Sequence, residues 1–200
     1  MASRSRDGWV RSETVRRSIV VLTAGLAALL LAACGSSGGA KASTTVPSAT
    51  PGAVLTVGTS PSTSSKMVCG EAKADIASSL GVKPTQITTP TWIDHVYSCS
   101  YVYPNGSFTL SVKEVDGIAN AAAYFRSLKT TLGVEPNVQA PTLGQGAFVT
   151  KDGGLVVQKD NKVLTIDVSK LPAKFGDPAQ SPTAVATSIG GVIMGCWTGA

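Results

Sequence analysis

The sequence predicts an α+β domain, an antiparallel sheet of about five strands with helices packed on one face, carried behind an N-terminal segment that lies outside the fold. Three observations lead there. Residues 1–33 are basic and then continuously apolar, and residues 34–66 are dominated by Ser, Thr, Gly, Ala and Pro. From Met67 to Ala200 the apolar residues recur with helical spacing in some stretches and strict alternation in others.

The leader comes first. Arg4, Arg6, Arg11, Arg16 and Arg17 make a positive start, and an apolar run follows from Ser18 to Ala33. At a rise of ~1.5 Å per residue that run reaches about 24 Å, short of a hydrocarbon core of ~30 Å. Gly35-Ser36-Ser37-Gly38-Gly39 follows it in place of a basic stop-transfer cluster, so the segment reads as a signal peptide over residues 1–33. Leu31-Ala32-Ala33-Cys34 resembles the bacterial lipobox. That resemblance implies cleavage between Ala33 and Cys34 and diacylglyceryl transfer to the Cys34 thiol. It places the protein on the extracytoplasmic face of the cell membrane, with the membrane as its first partner. Two acyl chains anchor stably where one would not, since each buried CH₂ contributes ~0.8 kcal/mol. Thr14-Val15-Arg16-Arg17-Ser18-Ile19-Val20 loosely resembles a twin-arginine export signal, and the general export route is an equal alternative.

Residues 34–66 read as a lipidated cysteine and a disordered tether, because so few large apolar side chains cannot offset the entropy of ordering the chain. Thr44-Thr45-Val46-Pro47 and Thr59-Ser60-Pro61 also suit O-glycosylation.

In residues 67–200 a first helix is expected over Gly70 to Leu80, with Cys69, Ala72, Ile76, Ala77 and Leu80 as its stripe and Gly81 as its stop. A strand over Tyr97 to Tyr103 turns at Pro104-Asn105-Gly106 into a second over Ser107 to Val115, where Phe108, Leu110 and Val112 face inward. A helix capped by Asp116 and closed by Gly133 carries Ile118, Ala121, Ala122, Phe125, Leu128 and Leu132. Three short strands follow, Ala147 to Thr150, Leu155 to Gln158 and Val163 to Val168, joined at Asp152-Gly153-Gly154 and Asp160-Asn161. A last helix spans about Thr183 to Met194, with Gly190 and Gly191 suggesting close packing onto the sheet or a frayed end.

The precursor has a net charge of +5, but the chain after residue 33 holds 12 basic and 10 acidic residues, or +2. Its single arginine is Arg126. Nucleic-acid recognition leans on clustered Arg forks, so no nucleic-acid partner is expected. With Cys34 lipidated, Cys69, Cys99 and Cys196 remain in an oxidising compartment. Cys69–Cys99 is the favoured disulfide, stapling the first helix to the first strand. Cys69–Cys196 is its rival.

Catalytic chemistry is thin. His95 is the one histidine, beside Asp94, and no Gly-x-Ser-x-Gly elbow occurs. Metal-ligand spacing is absent, and Leu143-Gly144-Gln145-Gly146 lacks the third glycine and the helix of a phosphate loop, so it reads as a turn. No cofactor and no enzyme activity are expected. Tyr97, Tyr101 and Tyr103 read first as core and, together with Trp92, second as a ligand surface, and Trp197 as a lid or interface residue.

The chain resembles a family of actinobacterial lipoproteins catalogued as domain of unknown function 3558. The matching features are Cys34 in its lipobox, the Ser/Thr/Pro spacer, Cys69 and Cys99, and Leu143-Gly144-Gln145-Gly146-Ala147-Phe148 followed by Leu155-Val156-Val157-Gln158-Lys159-Asp160. Cys196-Trp197 departs from it. The leading expectation is a lipid-anchored envelope protein with a non-catalytic domain that binds a partner protein, a wall component or a lipid. A carrier or sensor of an apolar small molecule is the second reading, and a hydrolase using His95 the third. An apolar cavity of ~300 Å³ or more between sheet and helices would favour the carrier, and a packed interior the interaction module.

Overall fold

The computed structural model describes residues 55–197. The signal peptide, Arg16-Arg17, the Ala33–Cys34 junction and the tether up to residue 54 lie outside the described residues. The described chain runs α1 (Thr63–Met67), α2 (Lys73–Leu80), β1 (Gln86–Ile87), β2 (Thr91–Ile93), β3 (Val96–Tyr103), β4 (Gly106–Glu114), α3 (Gly117–Leu132), β5 (Gly146–Val149), β6 (Leu155–Lys159), β7 (Lys162–Asp167) and α4 (Pro182–Cys196). All strand pairs are antiparallel, in the order β1-β3-β4-β7-β6-β5, with β2 also on β3. The protein is thus an α+β fold with an antiparallel sheet. The described residues form seven strands where about five are expected, because β1 and β2 are too short to carry an alternating pattern.

The central hairpin follows from its pleat. Cys99, Tyr101 and Tyr103 on β3 and Phe108, Leu110 and Val112 on β4 are buried on one face, while Ser98, Ser100, Thr109 and Ser111 stand half-buried on the other. α2 and α4 pack over the first face. Ile76 and Leu80 from α2, with Val185, Ile189 and Ile193 from α4, meet Leu110, Leu155, Leu164 and Ile166 in one apolar cluster. Gly190 sits at the closest approach of α4 to the sheet. A Cβ there would lie 2.6 Å from Leu155 Cδ2 and 3.2 Å from Leu143 Cδ1, so an added methyl would have to displace buried leucine side chains.

The helices are not all on one face, contrary to expectation. α3 lies on the opposite side, where Ala121 and Phe125 cover Phe148, Val156 and Val163. The cause is in β6: Leu155, Val156 and Val157 are each 0 % exposed, so the strand is buried on both faces and needs a cover on each. Phe125 and Phe148 meet edge to face at 5.3 Å, and the Lys129 ammonium lies 5.1 Å from the Phe125 ring centroid. Ile118, expected in the buried stripe of this helix, is exposed.

The boundary at residues 66 and 67 also moves. Residues 55–66, expected as tether, follow the body of the domain closely. Gly117 N–H donates to Leu55 O at 2.9 Å, Val57 N–H to Asp116 Oδ1 at 2.6 Å, and Trp92 Nε1–H to Thr59 O at 3.0 Å. Asp116 holds the cap position of α3 but makes no side-chain cap bond, its carboxylate being turned to Val57 instead. Ser62 caps α1 through Ser65 N–H, and Trp197 Nε1–H donates to Ser64 O at 2.8 Å. Trp197 is therefore a buried bracket between the last helix and α1 rather than a lid.

Candidate functional site

Two places among the described residues bear on function, and they differ in kind. One is closed. Glu114 ends β4 on the inward parity set by Phe108, Leu110 and Val112, and is 4 % exposed. Its Oε1 accepts from Ser62 N–H at 2.9 Å, from the Ser62 hydroxyl at 2.7 Å and from the buried Ser65 hydroxyl. Burial alone would raise the carboxyl pKa. The Ser65 and Ser62 donors, with Lys162 nearby, outweigh burial and hold it below the ordinary value. Every donor here comes from the N-terminal segment, so this carboxylate fastens residues 62–65 to the sheet.

The second place is open. The β3–β4 turn at Pro104-Asn105, the segment after α2 at Val82-Lys83 and the loop at Lys174-Phe175-Gly176 enclose a cleft of ≈ 340 Å³ with Tyr103 in its wall. Local sequence sets each wall. Pro104 and Asn105 form the reversal expected from their turn chemistry, with Tyr103 opposite Gly106. Gly81 ends α2 at φ +66°, and a Cβ on it would come within 1.8 Å of Asp177 O. Glycine there lets the 174–178 loop dock on the helix end, where Asp177 N–H donates to Leu80 O at 2.8 Å.

Tyr103 is 5 % exposed, its ring edge to face with Phe175 at 4.8 Å and tilted against Phe108 at 5.8 Å. Burial pushes its pKa up to about 12, so the hydroxyl stays protonated at neutral pH. That hydroxyl is the one buried side-chain polar atom among the described residues with no hydrogen-bond partner. Its neighbour Tyr101 meets the usual requirement by donating to Val68 O at 2.6 Å. The charged residues among those described in the cleft wall are Lys83 and Lys174, both exposed. A groove of ≈ 590 Å³ lined by Ala74, Ala77, Val82 and Pro84, with Lys73 and Lys83, runs along the outer side of α2 and shares the Val82-Lys83 wall.

The structure places the other sequence candidates as follows. Cys69 and Cys99 form the favoured disulfide, with Cα atoms 5.9 Å apart, joining the start of the α2 region to mid-β3. Cys34 and Ala33 lie outside the described residues. His95 is exposed in the two-residue β2–β3 turn with Asp94, at φ +59° and +50° respectively, and its ring meets Trp92 edge to face at 5.6 Å. That turn requires positive φ at both central residues, which accounts for the Asp94-His95 pair conformationally. Leu143-Gly144-Gln145-Gly146 is a turn leading into β5, as read. Among the described residues no helix is long and apolar enough to cross a membrane, and no group of three or more His, Cys, Asp or Glu is arranged to hold a metal.

Fold and cleft together define an α+β domain with a cationic recess at one end of its sheet. No protein-family model, no curated protein and no solved structure matches the chain.

Proposed function

We propose that this chain is a lipid-anchored extracytoplasmic lipoprotein whose domain binds a ligand through the cleft around Tyr103, without catalysis. The lipobox resemblance at Leu31-Ala32-Ala33-Cys34 supports the anchor, with Cys34 as the acylated residue. The single observation that carries the binding half is the open cleft that Tyr103 lines, beneath which its buried hydroxyl has no partner among the described residues. A buried donor left unmet costs ~1–3 kcal/mol, and this fold keeps one on a residue that lines a cleft. The contact made by the His95 ring, with Trp92, lends the hydrolase reading nothing.

The second reading, a carrier of an apolar molecule or lipid, draws on the groove along α2. It does not draw on the interior, which is filled where Gly190 meets Leu155. The anchor is tested by fractionation of a Cys34→Ser variant expressed in an actinobacterial host. The expected result is unprocessed precursor or released protein in place of mature membrane-bound protein. A variant that is processed normally and stays with membranes as well as the wild type would end the proposal.

A further inference from the structure

Resting on the anchor reading above, we infer that the domain docks on the membrane surface through an apolar end formed by Leu55, Ile93 and Ile118, where the chain from Cys34 enters the fold. Of the five large hydrophobic side chains left exposed among the described residues, these three are 41 %, 64 % and 49 % exposed respectively. Hydrogen bonds tie them to one place. Leu55 O accepts from Gly117 N–H at 2.9 Å, next to Ile118, and Thr59 O accepts from Trp92 Nε1–H at 3.0 Å, next to Ile93. Four residue steps, about 14 Å of chain at full extension, separate those two fastenings. Ile93 and α3 also share a face of the sheet: Ile93 stands in register with Val96, Lys113 and Val163, and Val163 lies under α3. The other two exposed hydrophobics, Val134 and Val138, belong to the segment between α3 and β5, where Val134 bridges Thr150. Single exposed aliphatics are ordinary, whereas three gathered at one end of a small domain call for an occupant.

The route of the chain chooses that occupant. Twenty residues lie between Cys34 and Leu55. At full extension they span about 70 Å, so acyl chains on Cys34 hold the domain beside the bilayer and attach it at this end. Whatever apolar group stands at the attachment then meets lipid at a high effective concentration. A contact of three aliphatic side chains is too weak to recruit a free protein, but it orients one that acyl chains already hold. The charged neighbours leave the patch clear: the Asp116 carboxylate accepts from Val57 N–H, and the Lys113 ammonium donates to Asp94 O. Asp94 and His95, exposed in the β2–β3 turn beside Ile93, would then stand among the headgroups. Docking also sets the direction of the Tyr103 cleft. β3 runs from Val96, the partner of Ile93, to Tyr103, about 24 Å at ~3.4 Å per residue, so the cleft opens at the end away from the bilayer.

The test uses the mature protein purified from membranes in neutral detergent and reconstituted into vesicles of equimolar phosphatidylethanolamine and phosphatidylglycerol, with and without bromine on the acyl chains. Trp92, next to Ile93, is the fluorescent reporter, and Trp197 is 2 % exposed. Brominated lipid should quench the wild type. Withdrawing two aliphatic side chains should shift the docked-to-undocked ratio about tenfold, so most of that quenching should be lost in Ile93→Ser/Ile118→Ser. Ile93→Leu/Ile118→Leu keeps the apolar area and should keep the quenching. Val134→Ser/Val138→Ser removes the other exposed hydrophobics and should quench as the wild type does. Circular dichroism establishes that each variant is folded. No quenching in the wild type, unchanged quenching in the Ile93/Ile118 serine pair, or equal loss in the Val134/Val138 pair would overturn the inference. So would self-association in detergent that the Ile93/Ile118 serine pair abolishes, with no quenching in vesicles, since the patch would then belong to a second copy. The state of Cys34 is read separately from the mass of the mature N-terminal peptide. An unmodified Cys34 ends the anchor and the docking with it, whereas an acylated protein that is not quenched ends the docking alone.

Discussion

Removing the Glu114 carboxylate should detach the N-terminal segment before it unfolds the sheet. Three donors meet one oxygen of this side chain: Ser62 N–H, the Ser62 hydroxyl, and the hydroxyl of Ser65, which is 0 % exposed. In Glu114→Ala the Ser65 hydroxyl and the Ser62 N–H lose their acceptor, and a small cavity opens at the end of β4. Hydrogen bonds to a charged acceptor contribute ~1.5–3 kcal/mol each but are not additive, so the expected loss is about 3–4 kcal/mol. At an m value of ~2 kcal/mol per molar urea, that lowers the midpoint by about 1.5–2 M. Glu114→Gln keeps an acceptor of the same shape but loses the charge, and should lose about 1–2 kcal/mol.

The pH dependence carries a definite sign. The folded pKa of Glu114 lies below its ordinary value of 4.5. Its contribution is therefore complete above the unfolded value and disappears as pH falls through the folded one. The wild-type midpoint should drop on acidification below pH 4.5, and part of that drop should be missing in Glu114→Gln. Urea titration from pH 3 to 7, paired with hydrogen exchange at the amides of residues 62–68, reads both effects. Refutation would be a Glu114→Ala protein with wild-type midpoint, or one whose exchange protection is lost evenly across β4 and β7 rather than first in residues 62–68.

Three further outcomes are expected. Replacing Cys69 and Cys99 together with Ala opens a crosslink between positions 30 apart in sequence. Chain entropy then predicts about 3–4 kcal/mol of lost stability, measured by thermal or urea unfolding against the oxidised wild type. Gly190→Ala should lower the melting temperature, because the new Cβ would sit 2.6 Å from Leu155 Cδ2. Gly191→Ala meets nothing within 4 Å and should raise it, the gain in helix propensity being up to ~1 kcal/mol. Calorimetry on the pair checks the opposite signs. Trp197→Phe keeps the buried ring but removes the bond to Ser64 O, and should cost about 1–3 kcal/mol while speeding exchange in α1.

Much of the fold could be read from the order of residues, and the reasons are specific. The β3–β4 hairpin announces itself because one strand alternates Tyr and Cys with Ser, and the other Phe, Leu and Val with Ser and Thr. α3 and α4 carry their helical spacing openly, and the Cys69–Cys99 pair follows from the elements on which the two residues sit. What stayed hidden was ordered by polar contacts or by burial from both sides. Residues 55–66 have the composition of a linker and are held by hydrogen bonds to Asp116, Glu114 and Trp92 rather than by apolar area. The one available signal was Glu114 itself, a carboxylate at the inward parity of an apolar strand. The second helical layer was also signalled, by the unbroken Leu155-Val156-Val157 run, which is the pattern of a strand covered on both faces. The cleft could not be read at all. Tyr103 continues the inward alternation of its strand, and only the fold brings Lys83 and Lys174, 91 residues apart in sequence, to the same cleft.

The anchor at Cys34 is the claim on which the placement of this domain depends, and the mass of the mature N-terminal peptide tests it most directly. Protein isolated from membranes and digested should give a peptide beginning at Cys34 and carrying a thioether-linked diacylglyceryl group. A mature N-terminus at any other residue, or an unmodified Cys34 at that terminus, would contradict it.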